Sequence, residues 1–484
     1  MKQNQPICIE LLNSFTDVEL ESFQHIINCP YFNTDKVVIR IFESLKKHIL
    51  HKKRFDEEAQ IFIHYKVFGV SYKGKTLRSK EKKHFNAKLS LLKKLAEQFL
   101  TIEGLQHKKA NFYDLLLEQL LDKRQYRLFE KHIKQSELLA QSQKKDLSYF
   151  QFKKIIEAHK LHYSNLTASV YKKDNLPELN YIIDSEYLLL KISYYITLLT
   201  IQQITKIDFD TLFVNSIDKI ISLESFETSG PIIIGKATIE LLKHQEKEYF
   251  EKLLTLLKQY STEITEEDLS YSYIIAINFC VRKMREGGMQ YLDLFKLYEE
   301  MDKQNLFLEG DFVPIIKIKN YVSAACRVGE FDKAKIIIEK YRPFINQSDR
   351  ANVCNYNYGV VAFYQQNYNE ALKYFIRADL GQDANLKAII LKCHYEMDKD
   401  YDERTMQIFR SAQKFFKDNK QLTTVRKRSY RNFIQILTYL YKIKFSATKM
   451  PLSKAKEKLI AQDVNSDREW LSTKMQELSL ALGQ

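Results

Sequence analysis

Apolar residues recur every three or four positions along most of the chain, the spacing that lays one stripe down an α-helix. Ala371, Leu372, Phe375 and Ala378 fall on one such face. The same period puts Val18, Leu20, Phe23, Ile26 and Ile27 on a helix capped by Thr16, and Val37, Val38, Ile41, Phe42 and Leu45 on the next. It also puts Phe85, Leu89, Leu92, Ala96 and Phe99 on a long basic helix. Further helices are predicted over 56–68, 111–121, 126–140, 147–163, 178–201, 209–223, 246–260 and 353–366, and one opens on the acidic turn 262–267. Turn signals stand between them: Asn28 to Asn33 around Pro30, the loop 69–74, Gly287-Gly288, and Asn367-Tyr368-Asn369, where Asn tolerates the backbone angles of a tight connection.

The pattern reads as all-α. Only 12 Gly and 7 Pro interrupt 484 residues, so helices run with few breaks, and a hydrophobic content of 45% excludes a disordered chain. Thirty Tyr and thirty Phe against one Trp point to an aromatic core. Three regions are expected: a helical N-terminal domain over 1–106, an array of helical hairpins over 107–445, and a capping region over 446–484. In the last, Met450-Pro451 breaks the pattern before an amphipathic helix bearing Trp470, Leu471, Met475, Leu478 and Leu480.

The stretch 352–383 holds two helices back to back. Gly359 in the first and Ala371 in the second are small enough for close approach, Phe375 fills the gap, and Ala378 leaves room for the next pair. This resembles a tetratricopeptide (TPR) repeat. Asn355, Ala362 and Asp383 stand where that family often has Trp, Tyr and Pro. Upstream, Ala334 and Ile338 take the roles of Ala371 and Phe375; downstream, Arg404 and Ile408 do, and the resemblance is clearest over 315–417. It implies an α-α superhelix of stacked hairpins with a long groove. On that resemblance Lys319, Ser323, Arg327, Tyr356, Asn357, Val360, Phe363 and Tyr364 are candidates to line the groove, the other reading being that they pack against a neighbouring helix. Lys319 and Asn357 fall at positions where some TPR proteins clamp a peptide carboxylate. Ser323 replaces a clamp Asn, and Leu386 and Ile390 replace the Lys and Arg of a third repeat, so capture of a chaperone tail is not expected. The implied function is a non-catalytic scaffold for a protein or peptide.

Charge adds an alternative. The net charge is +14, concentrated in 73–94, with nine basic residues against Glu81, and in 420–456, with ten and no acid. Lys73, Lys75, Arg78, Lys82 and Lys83 surround a helix-loop-helix over 56–100, and Arg426, Lys427, Arg428 and Arg431 are interleaved with aromatics such as Tyr430, Phe433 and Tyr441. Such stretches suit a polyanion, and the aromatics would stack on bases, giving a nucleic-acid-binding or transcription-regulatory reading. The ordinary alternative is a solvated basic face with aromatics turned to the core.

The residues argue for no cofactor, metal or catalytic site. Gly230 to Ala237 nearly spells a phosphate-binding loop, but Ala237 lacks the magnesium-binding hydroxyl, and Ser229 as cap with Pro231 in the first turn explains the same residues as a helix start. His48/His51 and His159/His162 are pairs without evident further ligands. Six scattered cysteines read as reduced core thiols of a cytoplasmic protein. The apolar run 187–201 is broken by Lys191 and Ser193 and reads as a buried helix, short of a membrane span.

Overall fold

The computed structural model describes residues 6–50, 55–69, 76–167, 175–205, 229–285, 287–378, 383–446 and 451–482. The predicted helix 209–223, most of the loop 69–74, His51, Lys73 and Lys75 lie outside the described residues. Among the described residues there are 22 α-helices and no strand, so the protein is all-α.

The chain divides into two compact units. The first takes residues 1–143 and 147–187. It opens with α1 (Ile7–Asn13), α2 (Asp17–Asn28), α3 (Lys36–Leu50), α4 (Glu57–Phe68) and α5 (Ser79–His107). Thr16 caps α2 as predicted: its hydroxyl accepts from the Glu19 amide at 3.2 Å, and the Glu19 carboxylate accepts from the Thr16 amide at 2.7 Å. The apolar stripes of these helices close one core in which the Phe23 ring lies 5.1 Å from Phe42 and 5.4 Å from Phe99. Burying each such ring stabilises by about 1.5–3 kcal/mol. The unit does not stop near residue 106. It continues through α6 (Lys109–Asp122), α7 (Tyr126–Gln141) and α8 (Leu147–Thr167), which share a second cluster around Leu117, Phe129 and Phe152. Buried Glu157 accepts from the Lys160 ammonium at 2.7 Å.

The second unit takes 144–146 and 188–484. Helix α9 (Asn175–Thr205) contributes residues 175–187 to the first unit and the remainder to the second. There follow α10 (Gly230–His244) with α11 (Lys247–Gln259), α12 (Glu266–Arg285) with α13 (Tyr291–Lys303), α14 (Ile315–Arg327) with α15 (Phe331–Tyr341), α16 (Gln347–Tyr364) with α17 (Tyr368–Arg377), α18 (Ala384–Met397) with α19 (Glu403–Asp418), α20 (Thr424–Lys444) with α21 (Leu452–Ala461), and last α22 (Arg468–Ala481). Each named pair packs side by side, and α14 also packs on α16.

The phosphate-loop look-alike is the start of α10. Pro231 sits in its first turn, but Ser229 does not cap it with its side chain; the Gly230 amide instead donates to Glu263 Oε2 at 3.3 Å. Gly235 is a packing residue, because a methyl there would collide with Ile192.

Gly359 and Phe375 set the packing of α16 against α17. A methyl on Gly359 would stand 2.6 Å from Phe375 Cδ1, and Phe375 is 2% exposed, so the ring has nowhere to retreat. Two details of the repeat differ from the sequence reading. The left-handed residue between α16 and α17 is Gln366, at φ 61°, while Asn367 caps α17 and Tyr368 and Asn369 are already helical. Downstream, Arg404 is exposed and Ile408 only half-buried; Thr405 and Phe409, 2% and 1% exposed, occupy the inward positions. The interval from Ala371, Phe375 and Ala378 to Thr405, Phe409 and Ala412 is therefore 34 residues, one more than the apolar pattern suggested.

Leu452, Leu459, Leu471, Met475 and Leu478 share one core with Leu391, Phe409, Phe433 and Tyr441, so the C-terminal helices are built into the same apolar cluster as α18 to α20.

Candidate functional site

The predicted groove residues sit on α14 and α16, and side chains of α14, α16 and α18 meet there. Lys319 on α14 lays its ammonium 3.8 Å from the centre of the Tyr356 ring and donates to Asp383 Oδ2 at 2.5 Å. Asp383 is the N-cap of α18, and its other oxygen accepts from the amides of Asn385 and Leu386 at 2.8 and 3.1 Å. Burial pushes its carboxyl up, but the Lys319 ammonium and the two amides outweigh that and hold it below the usual carboxylate range. Lys319 thus serves an internal acid. Tyr356, Asn357, Val360 and Phe363 are buried; Ser323, Arg327 and Tyr364 are partly exposed. Asn357 donates to the Val353 carbonyl at 2.9 Å, while its Oδ1 has no partner among the described residues. Leu386 is buried and Ile390 half-buried.

Further along, the face meets α22. Arg327 donates to Glu469 at 3.1 Å and stacks 4.3 Å from the Tyr291 ring, whose hydroxyl donates to the same carboxylate at 2.6 Å. Lys392 on α18, 8% exposed, pairs with Asp467, the N-cap of α22, and lies 5.3 Å from the Trp470 ring. Burial alone would raise the Asp467 carboxyl; Lys392 and Arg327, with the Trp470 amide, bring it below its ordinary value. Trp470 meets Tyr395 edge-on at 5.4 Å, and Lys474 pairs with Glu396 at 2.7 Å, both side chains being 13% exposed. The face therefore sets cations against aromatic rings and satisfies Lys319, Arg327 and Lys392 with carboxylates from helix starts and Lys474 with one from a helix end.

Lys392, Tyr291, Glu396, Asp467 and Glu469 were not foreseen. The local signal was present in Asp467-Arg468-Glu469 ahead of Trp470 as an acidic helix start, but nothing in the chain order ties it to Arg327, 142 residues earlier.

Of the polyanion candidates, Arg78, Lys82 and Lys83 are exposed at the start of α5. Arg426 and Arg431 are also exposed, Lys427 is half-buried, and Arg428 pairs with Asp463 at 2.6 Å. The aromatics between them face inward: Tyr430, Phe433 and Tyr441 are 3%, 0% and 0% exposed, which removes these rings as stacking platforms. His159 Nε2 lies 2.8 Å from Asp114 Oδ1. All six cysteines are free, and burial pushes Cys8, Cys280, Cys326 and Cys393 up to about 12, which suits inert core thiols. A cavity of about 460 Å³ lies apart from these residues, lined by Phe250, Leu254, Tyr273 and Lys296 among others. No family model, curated protein or solved structure matches the chain.

Proposed function

We propose that the protein is a non-catalytic scaffold that binds a protein or peptide on the inner face of a tetratricopeptide-like solenoid. The observation that carries the reading is the set of cations on α14 and α18, Lys319, Arg327 and Lys392, each laid against an aromatic ring and each engaging the carboxylate of a helix start. A face organised in this way recognises an acidic helical segment. The 34-residue interval between inward positions and the side-by-side hairpins support the repeat architecture. Nucleic-acid binding is the second reading, supported by the exposed Arg78, Lys82 and Lys83, and disfavoured in 420–456 by the buried aromatics.

The test is photo-crosslinking in native lysate, with a photoreactive side chain at Ser323 in the full chain and, as control, at Ile376, which is 79% exposed on α17. Discrete adducts at Ser323 and none at Ile376 are expected. Equal labelling at both, or affinity for mixed oligonucleotides that falls on the order of 10³-fold between about 50 and 200 mM salt, overturns the scaffold reading in favour of a polyanion partner.

A further inference from the structure

We propose, resting on the scaffold reading, that α22 is a built-in occupant of the binding face, and that the protein partner engages by presenting an amphipathic helix of the same chemistry in its place. Helix α22 packs on α20 and α21 and reaches α13, α14 and α18 through side-chain contacts with Tyr291, Arg327, Lys392 and Glu396. Its contacts fall into two sets. The polar set reads an acidic opening: Asp467 at the cap to Lys392, and Glu469 to Arg327 and Tyr291. The apolar set is Leu471, Met475 and Leu478, 0%, 3% and 9% exposed and spaced i, i+4, i+7, with Trp470 against Tyr395. This is the anchor spacing of a helix seated in a groove.

The face treats α22 as it treats a second helix start, since Lys319 grips the cap aspartate of α18 just as Lys392 grips that of α22. Recognition is thus of an acidic cap followed by apolar anchors, not of one covalent neighbour. An incoming segment must bring the same three anchors, because leaving their sockets empty exposes the core they share with α18 to α20. The partner so specified has an Asp at the cap, a second acid two residues on, an aromatic next, then large apolar residues at the following position and four and seven beyond.

The experiment titrates a fluorescent peptide of residues 463–482 into the full chain. The peptide is expected to bind Asp467→Asn/Glu469→Gln, whose own helix is loosened, at least tenfold tighter than the parent chain, and to lose that gain when Arg327→Ala and Lys392→Ala are added. Equal affinity for parent and loosened chains, or no saturable binding to a loosened chain that keeps its helical dichroism, overturns the proposal. Should the double variant lose its helicity, Glu469→Gln alone carries the test, since the Glu469 side chain is 62% exposed. A concentration-dependent dimer of the loosened chain, dissolved by the peptide, assigns the incoming helix to a second copy and overturns a foreign partner. Ser323 adducts that neither the loosening nor the peptide changes sink the helix exchange and leave the scaffold reading standing.

Discussion

In the second unit a lysine is bound to a helix-capping aspartate as Lys319 with Asp383 and Lys392 with Asp467, an arrangement that Lys88 and Asp35 repeat at the start of α3. Each aspartate serves the backbone amides of its own helix and a cation of another helix with the same carboxylate, so protonating it weakens cap and ion pair together. Both carboxyls lie below their ordinary value when folded. The stability they contribute is therefore present above about pH 3.9, the unfolded value, and is lost as pH falls through the folded one. Trp470, the sole tryptophan, sits on α22 and reports its detachment. Its emission should shift to the red below about pH 4, and Asp467→Asn should already show much of that shift at neutral pH. Gly359 is the other residue with a decided role. Gly359→Ala gains about 1 kcal/mol of helix propensity, but collision with Phe375 costs about 1–3 kcal/mol, so thermal unfolding should move down by a few degrees. The glycine was legible because a small residue inside a helix needs a packing reason. The lysine–aspartate pairs were not, because ion pairing between distant segments leaves no period in the sequence.

For the elements, apolar period and cap chemistry foretold most helices, including the Thr16 cap of α2, while Asp56, expected as the first residue of its helix, instead caps α4, its side chain accepting from the Ala59 amide at 2.9 Å. What failed was one-residue register. Ile408 and Phe409 are adjacent apolar residues, and a helical stripe about 100° wide admits either until packing chooses. The choice is measurable: Phe409→Ala should cost about 3–5 kcal/mol in urea unfolding, and Ile408→Ala clearly less, since Ile408 only lines the edge of the cluster. Comparable losses would return the repeat to the 33-residue spacing. The turn at Gln366 was missed for a related reason, since Asn367 is the better left-handed residue by type but is taken up by capping α17 through the Glu370 amide.

At the scale of the whole molecule, all-α architecture followed from the scarcity of Gly and Pro and the unbroken helical period, and no helix among the described residues is long and apolar enough to cross a membrane. The basic stretches illustrate a limit of composition. Residues 420–456 look like a polyanion footprint, yet Lys444 spends its ammonium on the Tyr395 and Asp398 carbonyls at the end of α18, at 2.7 and 3.0 Å, and Arg428 on Asp463. Removing 463–484 should bare the apolar cluster around Phe433 and Leu437, raising the fluorescence of a hydrophobic dye and lowering the unfolding midpoint, because Leu471, Met475 and Leu478 go with it.

The order in which the chain is made gives the position of α22 another meaning. Lys392 leaves the ribosome well before Ala481, and at roughly 5–20 residues per second the interval is about 4–18 s. Through that window Arg327 and Lys392 are already synthesised while Glu469 and Asp467 are not. A nascent chain consequently passes through a stage in which Arg327 and Lys392 lack the carboxylates that they engage in the finished fold.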